Sequence, residues 1–248
     1  MTSMVSGGRR SGLWLACLVG SMGLALSVPP AVAAPDLAPA AAVSAAPAAS
    51  AAAPVEGVAP AAPARPGAIA VDASNRSLSF AAVINLAEGP IEVVIATPKG
   101  RLHEALLRAE VNPLMLQASL YALGLNNGPR LLDSTGRRGD LVDIDIEYVN
   151  AAGTVVREPV EAWIRDTRTG ERPQRIGWVF VGSVMRDGLF LAEEEGNICI
   201  NYSVGSTILD CPDPQSLDDT LHVVEPRQGA PGLGGAVRVI LTARRASP

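Results

Sequence analysis

The stretch "APAAAVSAAPAASAAAPVEGVAPAAPARP", residues 38–66, decides how much of this 248-residue chain has to fold. From Ala34 to Pro66 the chain is almost all alanine and proline. Proline blocks helix continuation, and the segment has few large apolar side chains to bury, so its composition predicts an extended linker. Much of the 48% hydrophobic content of the chain is therefore linker alanine and says little about a core. A tether that holds a domain away from a membrane or wall and a plain spacer both fit this composition.

Ahead of the linker, residues 1–33 read as a secretion signal. Arg9 and Arg10 form a short basic region and "SGLWLACLVGSMGLALSV" an apolar run. Ala31-Val32-Ala33 then offers the small residues a signal peptidase accepts, with cleavage before Ala34. If the run is retained, its length is near the lower limit for a membrane anchor, and only then is a membrane a partner. Cys17 makes a poor lipidation site, since little apolar sequence precedes it and Trp14 lies three residues before. The expected location is outside the cytoplasm of a bacterium, periplasmic or extracellular.

What remains, residues 67–248, has the size of one domain. Removing Arg9 and Arg10 from the 20 basic residues leaves 18 against 25 acidic ones, about −7. Nucleic-acid phosphates demand a basic surface, so this balance argues against a nucleic-acid partner. Cys199 and Cys211, separated by "INYSVGSTILD", are the cysteines left after the signal. In an oxidising compartment that spacing suits a disulfide, worth on the order of 3 kcal/mol if unstrained. The alternative is two unrelated small hydrophobes, with Cys211 exposed in a turn. Two cysteines cannot hold a four-cysteine iron–sulfur cluster, and no haem-attachment motif is present, so no cofactor is expected.

Periodicity along 67–248 predicts strands and a helix pair. "LSFAAVINL" and "IEVVIAT" read as adjacent strands with the turn signal "AEGP" between them. Thr97 can cap a helix that begins at Pro98 and places Leu102, Ala105, Leu106 and Ala109 on one face. Asn112-Pro113 opens a second helix, with Leu116, Leu120 and Leu123 on one stripe and Gly124 at its stop. "LVDIDIEYV" and "TVVREPV" form a hairpin through "NAAG". "IGWVFVGSV", "LFLAE", "ICINYSV", "TLHVV" and "AVRVILTAR" continue the β pattern. The expected class is α+β: a largely antiparallel sheet with an early helix pair in one compact domain.

"FAAVINLAEGPIEVVIATPKGRLHEALL", "NPLMLQASLYALGL", "EAWIRDTRTG", "WVFVGS" and "EGN" ahead of a strand occur in that order. On these motifs, residues 78–243 resemble the YdjY-like domain family of bacterial exported proteins. The resemblance implies export; the family supplies no established catalytic residues to carry over.

Polar residues in the shared motifs are the candidate ligand contacts: Lys99, Arg101, His103 and Glu104 in "PKGRLHE", and Arg165 and Asp166 in "WIRD". An imidazole beside two cations near a helix start could receive an anion. Equally, His103 and Glu104 could clasp a helix start. Asp143, Asp145 and Glu147 alternate, so they share one strand face, read as solvated and eased by Arg157 across the hairpin. With no His-x-x-x-His spacing and only His222 besides His103, no metal site is expected. No nucleophile elbow or phosphate loop appears. The expected function is a non-catalytic binding or accessory module for an unidentified ligand or protein partner. The competing class is a periplasmic hydrolase-like enzyme using His103 and Glu104.

Overall fold

The computed structural model describes residues 65–244. The expected signal segment 1–33 and the expected linker up to residue 64 lie outside the described residues, as does Cys17. Strands β1 (Ile69–Asp72), β2 (Ser77–Ile84), β3 (Val93–Ala96) and β4 (Ala105–Arg108) come first, then helix α1 (Pro113–Ala122). Strands β5 (Leu141–Val149), β6 (Val155–Pro159), β7 (Ile164–Asp166) and β8 (Trp178–Phe180) follow. The short hairpin β9 (Met185–Arg186) and β10 (Leu189–Phe190) leads into a one-turn helix α2 (Leu191–Glu195). Strands β11 (Asn197–Ile200), β12 (Leu209–Asp210), β13 (His222–Val224) and β14 (Ala236–Ala243) complete the order.

Eight of these strands close on themselves. Their order is β2-β14-β5-β8-β12-β11-β3-β4, and β4 pairs back onto β2 through Val83↔Arg108 and Ile84↔Leu107. The result is a closed β-barrel with a mixed sheet, which overturns the expected α+β sheet with a helix pair. Most neighbours are antiparallel, but β3 and β4 run parallel, as do β11 and β12. Closure leaves the eight ring strands without a free edge along the path, while β1 and β6 pair on one side only, with β2 and β5. The barrel interior is filled from alternate positions: Leu78 and Phe80 on β2, Val142, Ile144 and Ile146 on β5, and Val239 and Leu241 on β14, all essentially buried. Among the described residues no helix is long and apolar enough to cross a membrane.

The first expected helix does not form. Residues 97–104 are a turn and a single 3-10 turn over Leu102–Glu104, and Ala105–Arg108 is strand β4. Ala105, Leu106 and Leu107 are all buried, because β4 is covered on both faces inside the ring and has no reason to alternate. The two expected neighbours β2 and β3 are therefore separated by β4. The second helix is α1 as expected, with Asn112 Oδ1 accepting from Met115 N at 2.9 Å and Pro113 at the first position. Half of the expected strand "LFLAE" is α2 instead.

Two connections of like size adjoin the β3/β11 pair. Residues 97–104 carry β3 to the parallel β4, and residues 201–208 carry β11 to the parallel β12. They flank the antiparallel β3/β11 pair from opposite sides. Where the 97–104 connection passes the turn ahead of β11, two glycines meet. Gly196, at φ +70, lies so near Gly100 that a Cβ on it would fall 2.2 Å from Gly100 N. Thr97 N donates to Gly196 O at 2.7 Å across the same contact.

Candidate functional site

The six sequence-chosen ligand residues do not converge. Four of them sit on the 97–104 crossover. Arg101 bonds Glu92 through one guanidinium nitrogen and donates from the other to Val204 O at 2.9 Å, tying one crossover to the other. Burial, then the nearby Glu104 carboxylate, pushes the Glu92 carboxyl above its ordinary value, with Arg101 opposing. Lys99 reaches Glu194 at 3.7 Å, an exposed pair of little energetic weight. His103 lies 3.4 Å from Glu104, and its side chain is 75% exposed. Neither of the cavities described below, of about 450 and 570 Å³, is lined by His103. The pair forms a surface contact, with no pocket around it for a substrate. What pins the 3-10 turn is Asn85, which donates to Leu102 O at 2.6 Å and Ala105 O at 2.8 Å.

Arg165 and Asp166 part company because consecutive residues of a strand point to opposite faces. Arg165 faces outward and pairs with Glu225 at 3.2 Å. Asp166 faces inward into a cavity of about 450 Å³. The roof of that cavity is the ribbon of β7 and β13, in which His222 pairs directly with Asp166. Trp178 of β8 lines the wall, with Asn201 and Cys211, which directly follow β11 and β12.

The cavity gathers six perturbed titratable groups: Glu161, Asp166, Arg168, Cys211, Asp213 and His222. Arg168 grips Asp166 with its backbone N at 2.8 Å and its Nε at 2.9 Å, and its guanidinium also bonds Asp213 and Gln215. The Arg168 bonds hold the Asp166 carboxyl down at about 2. Burial pulls Asp213 upward, but Arg168 and the backbone N–H of Gln215 outweigh it and leave that carboxyl below its ordinary value. His222 is only 3% exposed; burial lowers its pKa despite the two nearby carboxylates, so the ring is neutral at neutral pH. Asp166, Asp213 and His222 each present one ligand-type atom, all within 4.8 Å of one another. Glu161 accepts from Trp178 Nε1 at 3.1 Å through Oε1, and burial raises its carboxyl. Its other oxygen, Oε2, has no partner, and neither has Asn201 Nδ2.

Cys211 shares this cavity, and burial pushes its thiol up to about 12, so no thiolate nucleophile is available near neutral pH. Cys199 and Cys211 are both unbridged buried thiols. Because Cys199 pairs with Leu209 in the parallel register, Cys211 is its diagonal neighbour one strand over.

A larger apolar hollow of about 570 Å³ lies by the ends of β2, β5 and β14, lined by Tyr148, Val149 and Val155. It holds more apolar surface, but the titratable groups converge on the smaller cavity, which is therefore the candidate site.

The acidic strand face is not the solvated surface its alternation suggested: Asp145 is buried and Asp143 and Glu147 are partly buried, because arginines cover them. Asp145 receives Arg157 from β6 at 2.6 Å and Arg175 at 2.7 Å, while Glu147 receives Arg238 from β14 at 2.8 Å.

Sequence reasoning missed Glu161, Arg168, Trp178, Asn201 and Asp213 as members of one site, and treated His222 only as a lone imidazole. One signal was present: alternation in "LHVV" places His222 on the same strand face as Val224, a core position occupied by an ionisable ring. Set against family models, curated proteins and solved structures, the chain finds no match in any of the three.

Proposed function

We propose that this chain is an exported, non-catalytic binding module that takes a small hydroxyl-bearing ligand into the cavity beneath the β7/β13 ribbon. The observation that carries this reading is the pair of partnerless buried atoms, Glu161 Oε2 and Asn201 Nδ2, on residues that line one cavity. Each unpaired buried polar atom costs about 1–3 kcal/mol. A ligand hydroxyl can donate to the carboxylate oxygen and accept from the amide, which recovers that cost, and the Trp178 ring gives it an apolar wall. A binding role is favoured over chemistry because the Cys211 thiol is protonated, Asp166 is held ionised by Arg168 and so carries no proton to donate, and His103 and Glu104 lie on an open surface. Export rests on the signal-like residues 1–33 and on the resemblance to the YdjY-like family.

The test is a thermal-shift screen of the purified chain against monosaccharides, polyols and amino acids, with hits confirmed by calorimetry. A saturable hit should be lost in Glu161→Gln and Asn201→Ala. A panel in which nothing raises the melting temperature, or a hit indifferent to both substitutions, sinks the reading. Turnover of a bound compound, abolished by Glu161→Gln, would make the protein an enzyme instead.

A further inference from the structure

We propose that Asp166, Asp213 and His222 form a binding site for a divalent transition-metal ion of the zinc class, with Arg168 as an outer-sphere partner of the two carboxylates. This goes beyond the ligand reading above and does not depend on it.

The three groups come from β7, from the loop after β12 and from β13, with Asp166 more than 40 residues ahead of the other two, and their ligand-type atoms gather within 4.8 Å. Imidazole with carboxylates is a donor set suited to zinc, and three protein ligands leave a coordination position open. That position would face the cavity all three residues line. His222 itself is 3% exposed, and its ring makes no hydrogen bond among the described residues, so its lone pair is not spent inside the protein. Glu161 Oε2 and Asn201 Nδ2, outside the trio, are a second and separate sign that this cavity is built around something other than protein.

Arg168 is the obvious competitor, since its guanidinium already bonds both aspartates. A carboxylate has about four acceptor sites: on Asp213 only Gln215 N and one Arg168 nitrogen use them, whereas Asp166 accepts four bonds from Arg168, so an ion takes its Asp166 oxygen from the guanidinium. Hydrogen bonds from an outer group to ligating carboxylates are a usual feature of metal sites, where they fix the orientation of the ligands. Arg168 also links Asp166 to Asp213, and so holds the second carboxylate in register with the first.

The experiment titrates Zn²⁺ into the chelator-stripped full chain by calorimetry near neutral pH and repeats it with Co²⁺, whose visible absorption reports coordination by nitrogen and oxygen. The expected result is one ion per chain with a micromolar or tighter Kd. His222→Gln and Asp213→Asn should each weaken binding about tenfold or more, and His103→Ala should leave it unchanged. Absence of binding at micromolar protein, affinity retained in Asp213→Asn, or affinity lost in His103→Ala would each overturn the site. Should His222→Gln fail to fold by circular dichroism, Asp213→Asn, at a less buried position, decides alone. Zinc binding without any organic ligand would leave this site standing and sink the ligand reading. An organic ligand bound by the zinc-free chain, with no zinc affinity, would do the reverse.

Discussion

Glu161 has its carboxyl held in an apolar wall, hydrogen-bonded on one oxygen by Trp178 and bare on the other. Burial raises it above its ordinary 4.5, whereas in the unfolded chain it returns to that value. The folded state therefore holds this proton more tightly than the unfolded one. Its contribution to stability is fully present below about 4.5 and is lost as pH rises through the raised folded value. Glu161→Gln keeps an acceptor for the indole N–H and carries no charge. It should melt higher than the parent at neutral pH and converge with it on acidification. A melting-temperature difference that stays constant across the whole pH range would mean that ionisation of Glu161 is not linked to folding. No feature of local sequence announces this residue. It sits one position into "EAWIRD", and its environment is made by Trp178 from another strand.

At the scale of elements, the lesson lies in the contrast between α1 and β4. Helix α1 was legible because its start is written locally: an Asn cap, a Pro at the first turn and a stripe of leucines. Strand β4 was not, because Thr97-Pro98 mimics the same start signal and a run of buried residues fits either period. What excludes a helix there is long-range. The chain must pass Gly196 at Gly100 and then enter between β3 and β2, where strand pairing is the available way to satisfy its backbone. The glycine contact makes this testable. Gly196 combines a left-handed φ with backbone at 2.2 Å from any Cβ, so Gly196→Ala must both strain the turn ahead of β11 and push the 97–104 crossover away from it. The expected loss is on the order of 2–4 kcal/mol in denaturant unfolding. The same substitution at Gly136, where a Cβ meets nothing within 4 Å, isolates the strain of the positive φ alone and should cost less. Equal losses at the two positions would mean that the packed contact contributes nothing.

For the whole molecule, closure is the property that local patterns could not reveal. The strands "LVDIDIEYV", "TVVREPV" and "AVRVILTAR" were each readable by alternation, yet alternation is the same in an open sheet and in a barrel wall. The difference is made by β14, which fills the gap between β2 and β5 with Val239↔Phe80 on one side and Val239↔Ile146 on the other. It pairs with β2 from the opposite end of the domain, and its inward Val237, Val239 and Leu241 are buried. Without β14 the two longest core-facing strands lose their shared neighbour, and the interior opens along its length. The ring therefore cannot close until residues 236–243 are present. A chain ending before Ala236 should show no cooperative thermal transition by circular dichroism, while the full chain melts in one step. Refolding of the full chain should fall in the millisecond-to-second range of domains dominated by non-local pairing. If the truncated chain kept a cooperative melt, the remaining strands would form a stable open sheet, and closure would be a consequence of the fold instead of its condition.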